Sequence, residues 1–497
     1  MNLLSALYRP SLALLTDLYQ LTMAYAHWKT GSYKKQAVFH LYFRANPFAG
    51  GFTVACGLAR AKEFLSSFGF GGDDLDYLRT LNGLDGNRLF DEGFLEYLRE
   101  LKLGCDIDAV DEGRVVFPAA PLLRVKGPII AAQLVETQLL NVINFETLIA
   151  TKAARIAIAA RGEPVLEFGL RRAQGIDGAL AASRAAYIGG CSATSNVLAG
   201  RLFGIPVRGT HSHSWVMAFA DERESFEQFA AAMPGNCVFL VDTFHSLEGV
   251  AHAIEVGRTL KARGHQLGGI RLDSGDLAYL SIEARRMLDD AGFKDAAIVA
   301  SNELDENIIA SLREQGARVS IWGVGTRLIT GHDQAAMGCV YKLSAVRDPG
   351  GPWLNRMKLS EQAAKVSNPG IQQVRRYSSD SEYIGDMIWH DEPEAHTAPS
   401  PMMIDPLDLT RRRSFLATQP FEDLLKPVFR NGSFVGNDEG IEAVRQRVVD
   451  DLDRLHPGIK RFVNPHVYPV GLGESLFKMR AELLLKLRGV RTDGLSP

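Results

Sequence analysis

The sequence predicts an α/β protein with a parallel barrel or doubly wound sheet at its centre, an N-terminal α/β domain before it and a smaller C-terminal domain after it. Three observations lead there. From Glu163 to about Lys342, short apolar runs (PVLEFG, IPVRGT, CVFLVDT, GGIRLDSGD, AAIVAS and RVSIWGVGT) alternate with helical stretches. The runs recur roughly every 20 to 45 residues, a spacing that suits βα units with both strand faces covered. Polar residues close each run: Glu167, Thr210, Asp242 with Thr243, Asp273, Ser301 with Asn302, and Gly323 to Thr326. In α/β barrels that rim is where active sites are assembled, so six strand ends define one candidate site.

The flanking elements follow in order. In the first domain, residues 1–126, TDLYQLTMAYAHWKTG reads as a helix capped by Thr16 or Asp17, and AVFHLYFR as a strand. The barrel domain, residues 127–345, opens with helices, because Val135, Leu139 and Val142 recur at i, i+4 and i+7 and Leu148 and Ile149 continue the series. After Lys342 the Pro/Gly-rich RDPGGPW and SNPG end the parallel alternation. A hairpin-like QQVRRYSSDSEYIGDMIWH and a helix from about Glu474 to Leu487 then build the C-terminal domain, residues 346–497, part of which is expected to return to the N-terminal domain.

Length and charge bound the function. At about 150 residues per domain, 497 residues allow two to four domains. With 55 Lys+Arg against 58 Asp+Glu, the net charge of -3 argues against a broad electrostatic grip on nucleic acid or anionic membrane, so an anionic ligand must be caught by a few placed residues. The five cysteines, Cys56, Cys105, Cys191, Cys237 and Cys339, are scattered without zinc-type spacing, which indicates a reducing compartment and no structural zinc. The opening MNLLSALYRPSLALL lacks a basic leader and is interrupted by Arg9 and Pro10, so it is expected to start the folded chain. No run approaches the about 18 apolar residues of a membrane span, and a cytoplasmic protein is expected.

Four segments could carry chemistry. In GGIRLDSGDL, Arg271, Asp273 and Asp276 surround a strand end and could hold a sugar diol or a magnesium-bound pyrophosphate; the competing reading is a solvated helix cap. GVGT at Gly323 to Thr326, with Gly325 inside it and Ser301-Asn302 at the preceding strand end, can present backbone N–H groups to a phosphate, or be an ordinary turn. In GTHSHSW, His211 and His213 are open to three readings: metal ligands, a general base, or a phosphoryl-accepting nucleophile. EFGLRRAQG sets Phe168 beside Arg171 and Arg172, suited to a flat aromatic acid and a polyphosphate, or to a core ring followed by solvated arginines.

Together these segments resemble the nicotinate phosphoribosyltransferase family. The resemblance runs from TDLYQLTM through ETQLLNVINFETLIATKAAR, EFGLRRAQG, YIGGCSATSNVLAG, GTHSHSW, LVDT, RLDSGDL, IVASNELDE, GVGTRL and CVYKL to VYPVG, nearly the whole chain in the family's order. It implies an irregular α/β barrel of the type II phosphoribosyltransferase kind, working as a homodimer with shared active sites. The implied reaction joins nicotinate to 5-phosphoribosyl 1-pyrophosphate, releasing pyrophosphate and forming nicotinate mononucleotide. Mg2+ and ATP take part, ATP being hydrolysed, and the step belongs to NAD salvage.

Carried over by motif, the resemblance implies a role for each residue. His213 is the histidine phosphorylated by ATP, although His211 stands where an apolar residue is commoner, so an exchange of their roles stays open. Phe168 and the partner subunit's Tyr19 sandwich the pyridine ring; Arg271 faces the carboxylate and Arg171 the pyrophosphate. Asp273 lies near the ribose with Asp276 in support, and Thr210 is a further substrate-binding residue. Gly323, Gly325 and Thr326, with Ser301 and Asn302, take the 5'-phosphate. Related nicotinamide enzymes carry an Asp at about Cys191, and its absence favours nicotinate. The alternatives are a nicotinamide or other pyridine phosphoribosyltransferase and a non-catalytic nucleotide-binding relative.

Overall fold

The computed structural model describes residues 11–362, 365–391 and 401–490. They form two compact units, one of Leu148–Ala335 with Ile441–Val449 and the other of the chain up to Thr147, Ala336–Gly440 and from Asp450 onward.

The first unit is the barrel. Strands β1 (Val165–Glu167), β2 (Ala193–Thr194), β3 (Val238–Leu240), β4 (Gly269–Leu272), β5 (Ala297–Ala300) and β6 (Ile321–Val324) lie in the order β2-β1-β6-β5-β4-β3. Every pairing is parallel. Read from β3, the order is β3-β4-β5-β6-β1-β2, a cyclic permutation of chain order that brings β6 beside β1 as a barrel does. The irregularity sits where the cycle should close. IPVRGT, expected as a full strand, makes a single parallel bridge from Val207 to Thr194. Pro206 explains the loss: without an N–H it cannot propagate a ladder on both sides.

Phe239, Leu240, Ile270, Leu272, Ile298, Val299, Ala300, Trp322 and Val324 are all buried, as two-sided coverage of a parallel sheet requires. Five helices matter for the site: α1 (His213–Val216), α2 (Glu222–Ala232), α3 (Leu277–Asp290), α4 (Glu306–Glu314) and α5 (Thr326–Ile329). Asp221, Asp276 and Asp305 cap α2, α3 and α4 by accepting the N–H groups of Glu224, Tyr279 and Ile308 at 2.8, 3.0 and 2.9 Å. The caps of α3 and α4 start those helices soon after β4 and β5 and hold the loops at these strand ends taut.

The second unit is built on two large sheets, with Thr53–Val54 and Val115–Val116 pairing as a small third. Leu354–Asn355, Cys339–Arg347, Gln36–Phe43, Leu123–Pro128, Asp106–Ala109, Lys426–Arg430 and Ser433–Phe434 form a seven-stranded antiparallel sheet in that order. The other large sheet contains the hairpin Gln372–Ser378 and Tyr383–His390. The expected domain limits at 127 and 345 are not the limits of these units. Cys339–Arg347 pairs along Gln36–Phe43, so residues 336–345 fold with the N-terminal strands, and Lys426–Arg430 pairs with Asp106–Ala109. Helices span Leu18–Lys29 and Glu474–Leu487. Of the opening segment, residues 1–10 lie outside the described residues, while Ala13 is buried. Among the described residues, no helix is long and apolar enough to cross a membrane and no disulfide joins the cysteines.

Candidate active site

The rim of the barrel gathers almost every residue singled out from the sequence. Its centre is Arg271, the third residue of β4. Nε donates to Ser301 Oγ at 2.8 Å, Nη1 to Thr210 Oγ1 at 3.1 Å and Nη2 to Asp273 Oδ1 at 2.9 Å. Ser301 Oγ also donates to the same Asp273 oxygen. Three strand ends thus fix one guanidinium, which has five N–H donors and so keeps two for a ligand. Its side chain is 16% exposed, enough to be reached.

Phe168 lies beside it, with the guanidinium carbon 5.5 Å from the ring centroid. The ring edge packs close to the backbone of β6: a Cβ at Gly323 would come within 2.8 Å of it. Gly323 therefore makes room for the ring, a role the phosphate-nest reading did not include. Glu167 fixes the approach. Fully buried at the end of β1, it accepts the Gly169 N–H, Ser183 Oγ at 3.0 Å and Thr194 Oγ1 at 2.6 Å. A Cβ at Gly169 would strike Ile329 at 2.5 Å, so this glycine lets the turn after β1 touch the one after β6.

His213 opens α1 and is 40% exposed at its side chain, with Nε2 3.3 Å from Asp242 Oδ1. Asp242, whose side chain is 1% exposed, uses its other oxygen to accept the Asp273 N–H at 2.8 Å and Ser274 Oγ at 2.6 Å. The carboxylate thereby ties the histidine loop to the Arg271–Asp273 strand end. In the sequence Asp242 shows only as the polar end of LVDT, and its contact with His213, 29 residues away, leaves no local signal. His211 has a different setting. It is buried among Phe226, Phe229 and Phe239, and Nε2 accepts the Leu240 N–H at 3.2 Å. Burial, with Arg271 and His213 nearby, holds its pKa below the ordinary value.

The remaining residues divide. Gly325 and Thr326 start the single turn α5, and Thr326 Oγ1 donates to Glu303 Oε1 at 3.1 Å. Asn302 has a left-handed backbone, φ 116°, at the neighbouring strand end. Asp276 caps α3, the structural use weighed for it from the sequence. Arg171 and Arg172 are exposed in a single helical turn after β1 and form no ion pair among the described residues. Tyr19 belongs to the other unit, on the helix Leu18–Lys29, and is 49% exposed. Cys191 is buried, and burial with the charge of Glu167 pushes its thiol pKa up.

Two places have ligand-type donors for a metal. At the rim, Asp273 is shared by Arg271 and Ser301, so no protein-only oxygen cage surrounds an ion there; the set suits an ion that arrives on substrate phosphates. In the sheet unit, Cys56, Glu112 and Glu146 bring ligand atoms within 4.8 Å of one another. Protein groups engage them: Glu112 accepts the Gly57 N–H at 2.6 Å and Glu146 pairs with Arg60 at 3.3 Å.

Comparison with known proteins matches the chain along most of its length. Residues 14–144 match the nicotinate phosphoribosyltransferase N-terminal domain, 164–350 the nicotinate phosphoribosyltransferase family model, and 372–480 the corresponding C-terminal domain. The chain is 43% identical over 481 residues to the nicotinate phosphoribosyltransferase of Bacillus subtilis, covering 96% of each. The crystal structure of human nicotinic acid phosphoribosyltransferase superposes with a TM-score of 0.81 at 31% identity, over 94% of this chain and 99% of that one. The nicotinate-nucleotide pyrophosphorylase of Pyrococcus furiosus, at 22% identity and a TM-score of 0.67, covers 89% of this chain and 95% of its own and shares the fold.

Proposed function

The chain belongs to the nicotinate phosphoribosyltransferase family of enzymes, and from that premise we propose that it couples ATP hydrolysis, through a phosphohistidine at His213, to nicotinate mononucleotide formation in NAD salvage. The observation that carries the reading is Arg271 set against the face of Phe168. A flat aromatic carboxylate stacks on the ring while its oxygens meet the two guanidinium donors left free, a charge-assisted pairing. Departure of pyrophosphate from 5-phosphoribosyl 1-pyrophosphate leaves an oxocarbenium-like carbon. Its capture by the pyridine nitrogen depends on alignment more than on a strong base. Asp273 faces the ribose, and Asp276 supports it by holding the 273–276 turn on α3.

Phosphates are received at three points. The backbone N–H groups after Gly325, with Thr326, Gly323, Ser301 and Asn302 around them, take the 5'-phosphate. Arg171, exposed and without an ion-pair partner among the described residues, takes the pyrophosphate. Asp273 would hold a Mg2+ ion arriving on the pyrophosphate, and the ion would supply charge neutralisation for the leaving group. At His213, the carboxylate of Asp242 accepts Nε2–H, which leaves the lone pair on Nδ1. That nitrogen attacks the γ-phosphorus of ATP, ADP leaves, and water later cleaves the phosphoramidate.

The same reading makes the enzyme a cytoplasmic homodimer in which the partner subunit's Tyr19 covers the pyridine ring. Exposed apolar side chains support it: Leu15, Leu18, Tyr19 and Met23 in one unit, and Val197, Leu198 and Leu202 in the other. A neutral, buried Cys191 supports the acid over the amide as substrate. The decisive assay gives the purified chain nicotinate or nicotinamide, 5-phosphoribosyl 1-pyrophosphate and Mg2+, with and without ATP, and detects mononucleotide by mass. Product from nicotinate, increased by ATP, is expected; product only from nicotinamide, or none, refutes the reading.

A further inference from the structure

Around the barrel cycle every neighbouring pair of strands is joined by a parallel ladder except β2 and β3. Residues 205–208 enter that gap and attach to β2: the Thr194 N–H donates to Pro206 O and the Arg208 N–H to Thr194 O, each at 3.0 Å. On the far side, the Val241 N–H donates to Arg271 O in β4 at 3.2 Å. Alternation along a strand then turns the preceding N–H, that of Leu240, toward the opposite edge and into the gap. Its acceptor is His211 Nε2, at 3.2 Å. Two residues on, His213 meets Asp242 at 3.3 Å. The contacts 211 with 240 and 213 with 242 step two residues along both segments, the first through the extended chain before α1 and the second at the helix's first residue.

We propose that His211 is a positioning residue, an imidazole that replaces strand pairing at the open seam of the barrel and thereby sets His213 against Asp242 and Thr210 against Arg271. The H-x-H segment is then one structural rung followed by one reactive rung. To accept the Leu240 N–H, the ring must keep Nε2 unprotonated and carry its proton on Nδ1, which faces Ser212 O at 3.4 Å. The lone pair that a phosphoryl acceptor needs is already engaged, inside a cage of Phe226, Phe229 and Phe239. The charged and titratable groups facing it are Arg271 and His213, and both oppose protonation. An apolar residue here would fill the cage and leave the Leu240 N–H buried without its acceptor.

The inference uses the phosphohistidine reading for one readout only. His211→Phe keeps an aromatic ring and loses the acceptor; His211→Gln returns an acceptor at similar reach. In the full chain, the Leu240 amide of His211→Phe should exchange with deuterium about tenfold faster than in the parent, since it has lost its buried hydrogen bond. Labelling of His213 by ATP should slow about tenfold, and the KM for nicotinate should rise while kcat without ATP stays near the parent value. His211→Gln should recover most of each. An unchanged Leu240 amide in His211→Phe, or a His211→Gln variant no better than His211→Phe, overturns the proposal. If the parent takes no label from ATP, the phosphohistidine reading fails by itself, and Leu240 exchange with the nicotinate KM still decides the role of His211.

Discussion

Arg376 in the sheet unit and Arg271 in the barrel are both arginines set against a carboxylate and aromatic faces, yet they are finished differently. Arg376 is buried, bonds Asp386 through two parallel contacts at 2.8 and 2.7 Å, and has Phe117, Tyr383 and Tyr468 around its guanidinium. Tyr468 in turn donates to Asp386 at 2.9 Å. Arg271 divides its donors among three strand ends and keeps one edge toward solvent. A guanidinium enclosed by its own chain holds the fold together, whereas one fixed but incompletely covered is prepared for an outside anion.

The contrast breaks most visibly in stability. Arg376→Met leaves Asp386 buried without its counter-ion and should cost about 3–5 kcal/mol of unfolding free energy, read by urea denaturation. Activity per folded molecule should hold. Arg271→Ala should behave in the opposite way: a denaturation midpoint near the parent, with the KM for nicotinate raised about 100-fold by loss of a charge-assisted partner. If Arg271→Ala unfolds as readily as Arg376→Met while its KM stays put, the two arginines do the same job and the proposed carboxylate site lies elsewhere.

Gly323→Ala sharpens the same comparison at smaller amplitude. The added methyl meets the Phe168 ring at 2.8 Å and Ser301 Cβ at 3.3 Å, so the ring must shift off the strand. Overpacking of this kind costs about 1–3 kcal/mol, here expressed mainly as a rise of about tenfold in the KM for nicotinate. A rise confined to 5-phosphoribosyl 1-pyrophosphate would instead make Gly323 part of the phosphate cradle, as first read from GVGT.

What the sequence made legible follows from range. Five apolar runs became barrel strands because local burial on both faces writes a continuous apolar signal. The helix Glu474–Leu487 and the hairpin at Gln372–His390 were legible for the same local reason. The assignment of residues 336–345 to the sheet unit was not, since pairing of Cys339–Arg347 with Gln36–Phe43 joins segments about 300 residues apart and leaves no local trace. At the rim, Arg271, Asp273 and Phe168 could be named from their motifs. Asp242 and Glu167 were legible only as polar strand ends, because their importance lies in what they hold: the His213 ring, 29 residues from Asp242 in sequence, and the Gly169 turn.

Acid tests the smallest difference between the two units, one that concerns histidine. His40 is fully buried in the sheet unit: Nε2 accepts the Gln372 N–H at 3.1 Å and Nδ1 contacts Ser344 Oγ at 2.9 Å. Burial first, then Arg124 and His390, press its pKa well below the ordinary value, against the opposing hydrogen bond from Gln372. The unfolded chain protonates this side chain near pH about 6.5 while the folded chain does not. The unfolded state then binds more protons, so the stability from neutral His40 is complete above that pH and is lost as pH falls toward the depressed folded value. The denaturation midpoint should therefore drop between pH 7.5 and 5.5, and His40→Gln should flatten that drop. His211→Gln should instead leave most of it in place, because His211 is less buried than His40 and its pKa is lowered less. Equal flattening by both variants would erase the distinction between a histidine that holds a sheet and one that aligns a site.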